Sequence, residues 1–457
     1  MKLKIEKLGR IRSAEIDVRP LTVLIGPNNT NKTWTAYALY GLLQFLSRKL
    51  TGIRFIGAPA DTEVTDVSQA RLKEALRPFC DALKTDPAPE HLEYTISVAY
   101  EEAERKYGPA LTAEALCGLL GMTPQSIPNA SASLVVSASE LTTRIVSFNL
   151  VFERSLNQLQ VKTNRQRRLE NGKTEYSSTI TSHVDEAWTE QKLFDAVLLQ
   201  FWNIIEHVVV FPAERNGIFP IWPLVLTADK LAVPFPVFDF ARFLGFAQAA
   251  TPMGLANSSQ AHLSTLLNKV LGGEIAYVSE GGNKRLVFRS GGAEVPLQAA
   301  ASLSRAVAGL SIYIERFFKP DDVLIIDELE MNAHPQAQVA LTEFIAALVN
   351  AGVRVVLTTH SPYVVDHLNN LMEASRAPTE RQEELAQKFA LGTASSFISP
   401  EKVAVHAFQE ESPEGEVFVR EVLNRKTGLI DWSTFSRVSE HITNLYSDIL
   451  RTTEGKA

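Results

Sequence analysis

Eight consecutive residues, Gly26-Pro27-Asn28-Asn29-Thr30-Asn31-Lys32-Thr33, combine turn-forming types with a lysine and a hydroxyl. They follow a short apolar run, Leu21-Thr22-Val23-Leu24-Ile25, and precede a segment in which Trp34, Tyr37, Ala38, Leu42, Phe45 and Leu46 recur at helical spacing. A strand, a loop and then a helix is the context a phosphate-binding loop requires. Its backbone N–H groups converge at a helix N-terminus, where partial positive charge also lies. Lys32 is placed to reach the β- and γ-phosphates of ATP, and Thr33 to offer its hydroxyl to Mg2+. Gly26, Asn28, Asn29, Thr30 and Asn31 complete the cradle. Asn31 stands where the pattern has a second glycine, and asparagine is among the residues that best tolerate positive φ.

Two further apolar runs end in polar chemistry. Val323-Leu324-Ile325-Ile326 is followed by Asp327 and Glu328. At such a strand end Asp327 can hold the Mg2+ shell, and Glu328 can orient and deprotonate the attacking water. Val353 to Thr359 runs into His360, which puts an imidazole at the carboxyl end of a strand, the edge where α/β sheets bind ligands.

The order of these motifs, Gly26–Thr33, then Asp327-Glu328-Leu329-Glu330 with His334-Pro335, then Thr358-Thr359-His360-Ser361-Pro362, resembles the ATP-binding cassette (ABC) ATPases. Within them it looks most like the group that includes the overcoming-lysogenization-defect (OLD), RecF-like and SMC-like proteins. The resemblance makes His360 the contact to the γ-phosphate and Asn332–Pro335 a loop crossing a dimer interface. It also implies a signature segment ahead of Asp327, offered to the partner subunit's nucleotide. Ala301-Ser302-Leu303-Ser304-Arg305 is the candidate, with Ser302 and Ser304 the direct matches and the usual glycine missing. Leu329 replaces the family's proline, and the two departures suggest slow or partner-gated turnover. Phe211-Pro212-Ala213-Glu214-Arg215 matches a segment with an arginine in the same group. Arg215 then faces nucleotide or the partner subunit, or forms an ion pair with Glu214 or another acid.

The elements that must position these residues follow from periodicity. Alternation from Ile5 to Ile16 reads as two strands, and Leu21–Ile25 as a third, buried one. Helix, strand, helix, strand, helix is expected over about 300–318, 323–327, 335–350, 353–359 and 362–373, which indicates a parallel sheet with covered faces. Strands are also expected around 133–136, 143–161, 176–181 and 272–295, and helix over 62–125 and 190–207. The fold class is therefore α/β, an ABC-type sheet with an antiparallel β subdomain and a helical insertion at 62–125. The 457 residues read as one composite domain, with 400–457 and the insertion as candidate partner surfaces.

Composition fits a packed protein, with 45% hydrophobic and 21% charged residues. No stretch approaches the ~20 apolar residues of a membrane helix, so a cytoplasmic protein is expected. Cys80 and Cys117 show no metal spacing and read as buried thiols in a reducing compartment. The net charge of -7 argues against a surface devoted to nucleic acid. A basic knot of Lys162, Arg165, Arg167 and Arg168 reads as a solvated hairpin loop.

The resemblance implies an ATPase that closes as a head-to-tail dimer, or a higher oligomer, around ATP. Long heptad arms of the SMC type are lacking, and the stretch after His360 is too short for the nuclease domain of OLD proteins. A sensor or regulatory subunit controlling a separate nuclease or toxin is therefore expected, similar to the ATPases of anti-phage systems such as PARIS and Septu. The alternatives are a RecF-like repair ATPase that clamps DNA and a nucleotide-dependent scaffold without hydrolysis.

Overall fold

A computed structural model describes residues 1–48, 53–56, 63–64, 77, 81, 91–101, 110–123, 125–135, 143–153, 158–168, 174–184, 208–227, 233–249, 258–280, 283–410, 415–431 and 433–453. The chain separates into two compact units, Met1–Leu42 with Ala110–Leu134 and Val208–Ala457, and Leu43–Pro109 with Val135–His207. The first holds every candidate site residue. Strands are numbered β1 to β19 along the chain.

In the first unit, β1 (Lys2–Leu8), β2 (Ile11–Asp17), β3 (Leu21–Ile25), β7 (Ala110–Leu111), β8 (Ser131–Val135), β12 (Val208–Phe211), β16 (Val323–Ile326), β17 (Arg354–Thr359), β18 (Val403–Glu410) and β19 (Val417–Glu421) form one sheet. Their order is β12-β16-β17-β3-β18-β19-β2-β1-β8-β7. β12, β16, β17, β3 and β18 run parallel. β3 and β16 are buried at every position, as expected for strands covered on both faces. Helices Ser302–Arg316, Pro335–Asn350 and Pro362–Ala374 flank them. At the other end β1 pairs antiparallel with β2 and keeps a half-exposed alternation. A separate antiparallel sheet of β13 (Glu274–Glu280), β14 (Asn283–Ser290) and β15 (Ala293–Pro296) belongs to the same unit.

The second unit is an antiparallel sheet of β4 (Ile53–Ile56), β5 (Glu63–Val64), β6 (His91–Glu101), β9 (Thr143–Glu153), β10 (Gln158–Arg168) and β11 (Thr174–Val184), in the order β11-β10-β9-β6-β4-β5.

The α/β class with an additional antiparallel sheet is the one expected, but two local readings need correction. The described residues of the segment 62–125 are not helical throughout. They include β5, β6 and β7, with helix at Ala113–Leu120 and helical residues at Arg77 and Asp81. In β6 the apolar residues Leu92, Tyr94, Ile96, Val98 and Tyr100 alternate with others, a period of two that overrides the helical reading. The basic knot at 162–168 is not a hairpin loop but lies within β10, laddered to β9 on one side and β11 on the other. Pairing on both sides outweighs the weak strand preference of its residues.

The expected helix at 190–207 and the residue Cys80 lie outside the described residues, whereas Cys117 is a buried free thiol. No helix among the described residues is long and apolar enough to cross a membrane. The helix Ser433–Thr453 is amphipathic, with Ile442, Leu445, Tyr446, Ile449 and Leu450 exposed.

Candidate nucleotide site

Three neighbouring parallel strands deliver the three motifs. The phosphate loop leaves β3, the acids leave β16 and His360 leaves β17, with Ile326 level with Leu357 and Thr359 level with Ile25. Residues separated by about 300 positions therefore share one carboxyl edge of the sheet, where such sheets bind ligands.

The loop begins at Gly26, whose φ of 147° and closeness to the neighbouring strand both exclude a side chain. A Cβ there would meet Phe408 O at 2.4 Å. Asn29 and Asn31 take φ of 61° and 65°, the conformation in which asparagine replaces glycine at least strain. Thr30 Oγ1 donates to Pro27 O at 2.8 Å. Lys32 opens the helix Lys32–Arg48, and its Nζ donates to Pro27 O at 2.7 Å and Thr30 Oγ1 at 3.3 Å. Burial lowers the Lys32 ammonium to about 8, against the opposing pull of Asp327, Glu328 and Glu330. Asn28 is exposed beside it.

Thr33 Oγ1 donates to Asp327 Oδ1 at 3.0 Å, and Thr358 Oγ1 donates to the same oxygen at 2.6 Å. Asp327 Oδ2 is buried without a hydrogen-bond partner. A buried carboxylate oxygen left bare in this way is a poor structural element and a good ligand for a hard cation or its water. Burial raises Asp327 above its ordinary value, and the two threonine hydroxyls oppose it. Among the described residues no three His, Cys, Asp or Glu side chains are placed to cage a metal. Magnesium does not need such a cage, because it keeps several waters and takes one or two protein oxygens plus phosphate.

Glu328 has φ of 51°, unusual for its type, and its N–H donates to Thr358 Oγ1 at 2.8 Å. Thr358 thus holds the Asp327 carboxylate through its hydroxyl proton and the Glu328 backbone through its lone pair. Burial, then Asp327 and Glu330, raise the Glu328 carboxyl above its ordinary value, toward a useful base. His360 Nε2 lies 4.0 Å from Glu328 Oε1, and the His360 backbone N–H donates to Glu330 Oε1 at 2.5 Å. Burial, then Lys32, lower the imidazole below its ordinary value, against the opposing pull of Glu330 and a hydrogen bond to the Gly26 backbone.

Arg215 is buried, and its guanidinium donates to Ala306 O at 3.0 Å, Pro212 O at 3.0 Å, Asp327 O at 2.6 Å and Glu328 O at 2.8 Å. The structure therefore places it as a clamp on the backbone behind the acids. Ser302 and Ser304 open the helix Ser302–Arg316, and Ser304 is buried. The hydrogen bonds around Lys32, Asp327 and His360, among the described residues, include neither serine. Asn332 takes φ of 61°, and His334 caps the helix Pro335–Asn350 by accepting the Gln336 N–H at 3.3 Å. Sequence reasoning gave no role to Thr358, to Glu330 or to Arg10. Thr358 and Glu330 carried a signal, as members of the recognised motifs, and Arg10 carried none.

Residues 247–365 match a family model described as AAA ATPase domain. That span takes in Ser302, Asp327, Glu328 and His360 but not the phosphate loop. Among solved structures the chain is similar to an SMC head bound to the C-winged helix domain of ScpA, with 11% identity, TM-score 0.38, and coverage of 93% of this chain and 98% of that one. It is also similar to the SMC head domain from Thermotoga maritima, with 11% identity, TM-score 0.32, and coverage of 92% and 98%. The SMC head with an extended coiled coil from Pyrococcus furiosus gives 9% identity, TM-score 0.33, and coverage of 97% and 98%. No curated protein matches the chain.

Proposed function

We propose that this chain binds and hydrolyses ATP with Mg2+, between two copies of itself, and uses the cycle to control a separate effector nuclease or toxin. One observation carries the catalytic part. Thr33, Asp327 and Thr358 are joined by hydrogen bonds at 3.0 and 2.6 Å, with an unpartnered Asp327 oxygen in their midst. Thr33 and Asp327 would hold magnesium, which when bound neutralises phosphate charge. Lys32 holds the β- and γ-phosphates, Glu328 takes the proton of the attacking water, and His360 contacts the γ-phosphate. Ser302 and Ser304 serve the nucleotide of the opposing copy. Arg215 acts through the backbone of Asp327 and Glu328.

The effector part rests on the resemblance of Gly26–Thr33, Asp327–Glu330 and Thr358–Pro362 to the ABC ATPases of the OLD, RecF-like and SMC-like group, from which the likeness to anti-phage ATPases is inferred. The exposed apolar row Ile442, Leu445, Tyr446 and Ile449 supports a partner surface on the helix Ser433–Thr453. Phosphate release from the purified protein, measured beside light scattering with and without MgATP, tests the reading. Turnover and ATP-dependent dimerisation are expected. Binding without release, alone or with the effector, would select a scaffold, and duplex DNA bound only with ATP would select a repair clamp.

A further inference from the structure

The β1–β2 turn and the phosphate loop are bolted together by a set of contacts that the nucleotide chemistry does not itself use. Asn31 Oδ1 accepts the backbone N–H of Arg10 at 2.9 Å. The Arg10 side chain reaches back, with Nη1 donating to Asn29 O at 3.1 Å and Nε to Gly415 O at 2.6 Å. Its Nη2 pairs with Glu410 at 2.6 Å. Val417 N–H donates to Arg10 O at 2.9 Å, so the turn is also stitched to β19. Two glycines make room. A Cβ on Gly9, at φ of +59°, would stand 2.6 Å from the Asn31 amide nitrogen, and one on Gly415, at +76°, would stand 2.7 Å from Arg10 Nη2.

We infer that Asn31 and Arg10 are a positioning pair that replaces the missing second glycine of the loop. Where glycine would let the loop fold around phosphate by its own freedom, Asn31 holds a left-handed backbone and ties it to a rigid turn. Arg10 then fixes the carbonyl of Asn29, the other left-handed residue, from the opposite side. The loop is thereby shaped before nucleotide arrives, and the ordering is not charged to binding. Glu410 is half-exposed and adds little, as exposed ion pairs do. The inference rests on the ATP-binding reading above and makes a counterintuitive statement about it: restoring the glycine of the pattern should weaken binding.

The test is calorimetric titration of MgATP into wild type, Asn31→Gly, Arg10→Ala, Arg10→Lys and Glu410→Gln, with phosphate release and melting measured alongside. Losing one net hydrogen bond, together with added backbone freedom, predicts a Kd for Asn31→Gly weaker by about three- to tenfold. KM should rise in step while kcat at saturation stays within about twofold, since uniform binding is what is removed. Arg10→Ala should behave in the same direction, and Arg10→Lys should not rescue it, because an ammonium cannot span Asn29 and Gly415 as a planar fork does. Glu410→Gln should match wild type. An Asn31→Gly protein that binds as tightly as wild type, or tighter, overturns the inference alone. A melting change with no change in Kd does the same, because it reduces the contacts to scaffolding. Wild-type protein that takes up no MgATP overturns the ATP-binding reading and the inference with it.

Discussion

Thr358 donates its hydroxyl to Asp327 at 2.6 Å while accepting the backbone N–H of Glu328 at 2.8 Å, so one side chain orients the first carboxylate and pins the main chain that carries the second. Replacing it by valine keeps the shape but leaves a buried carboxylate and a peptide N–H short of partners. Thr358→Val should cost about 1–3 kcal/mol of stability, the penalty for such groups. It should also loosen Mg2+-dependent nucleotide binding. Chemical denaturation and titration at several Mg2+ concentrations check both, and an unchanged Mg2+ dependence would remove Thr358 from the site.

Lys32→Ala should abolish ATP binding in calorimetry, because a buried ammonium at a helix N-terminus is the loop's only side-chain cation. Unchanged affinity would refute the loop assignment.

The depressed Lys32 value gives two opposite pH trends. Between about 8 and its ordinary 10.5 the unfolded chain holds this proton and the folded chain does not. The contribution of this group to stability therefore increases as pH rises through that window. Nucleotide favours the charged form, so ATP affinity should fall over the same window and binding should take up a proton. Calorimetry in buffers of different ionisation enthalpy at pH 8.5 measures that uptake, and a net release of protons contradicts the assignment.

Glu328→Gln should preserve ATP binding, lower turnover by about a hundredfold or more as expected for loss of a general base, and accumulate the closed dimer. In wild type, kcat rises with pH as Glu328 ionises. Burial shifts that limb upward from the ordinary carboxylate range, and the pH–rate profile locates it. Normal turnover in the mutant would mean that another base acts.

Arg215→Met fills the same space but leaves four carbonyl oxygens without their donor. A loss of about 3 kcal/mol or more is expected from unmet buried acceptors, read as a lower melting temperature. Arg215→Lys keeps the charge and part of the bonding and should fall between.

The parts of the site visible in the sequence were those whose chemistry is tied to a strand end. The loop that carries Lys32, the acid Asp327 and the imidazole of His360 each follow a strand-forming run, and β16-β17-β3 adjacency then brings them together. Asn31 could be read because few residues other than glycine adopt its backbone angle. Arg215 was marked as a site residue but its role was not legible, since which carbonyls a lone arginine will meet depends on β12 lying beside β16. Arg10 was silent, being positioned by contacts with Gly415 and Glu410, about 400 residues away. The strand β6 was missed because flanking turn residues and charges hid its two-residue period.

Among the described residues the hydrogen bonds of Arg215 end on oxygens of the main chain, and those oxygens are the same whatever side chain stands beside them. The support beneath positions 327 and 328 is consequently kept when a side chain there changes, although the guanidinium charge also favours both carboxylates. A descendant of this protein could trade Glu328 for a neutral residue, lose its turnover, and still present an intact phosphate cradle to ATP.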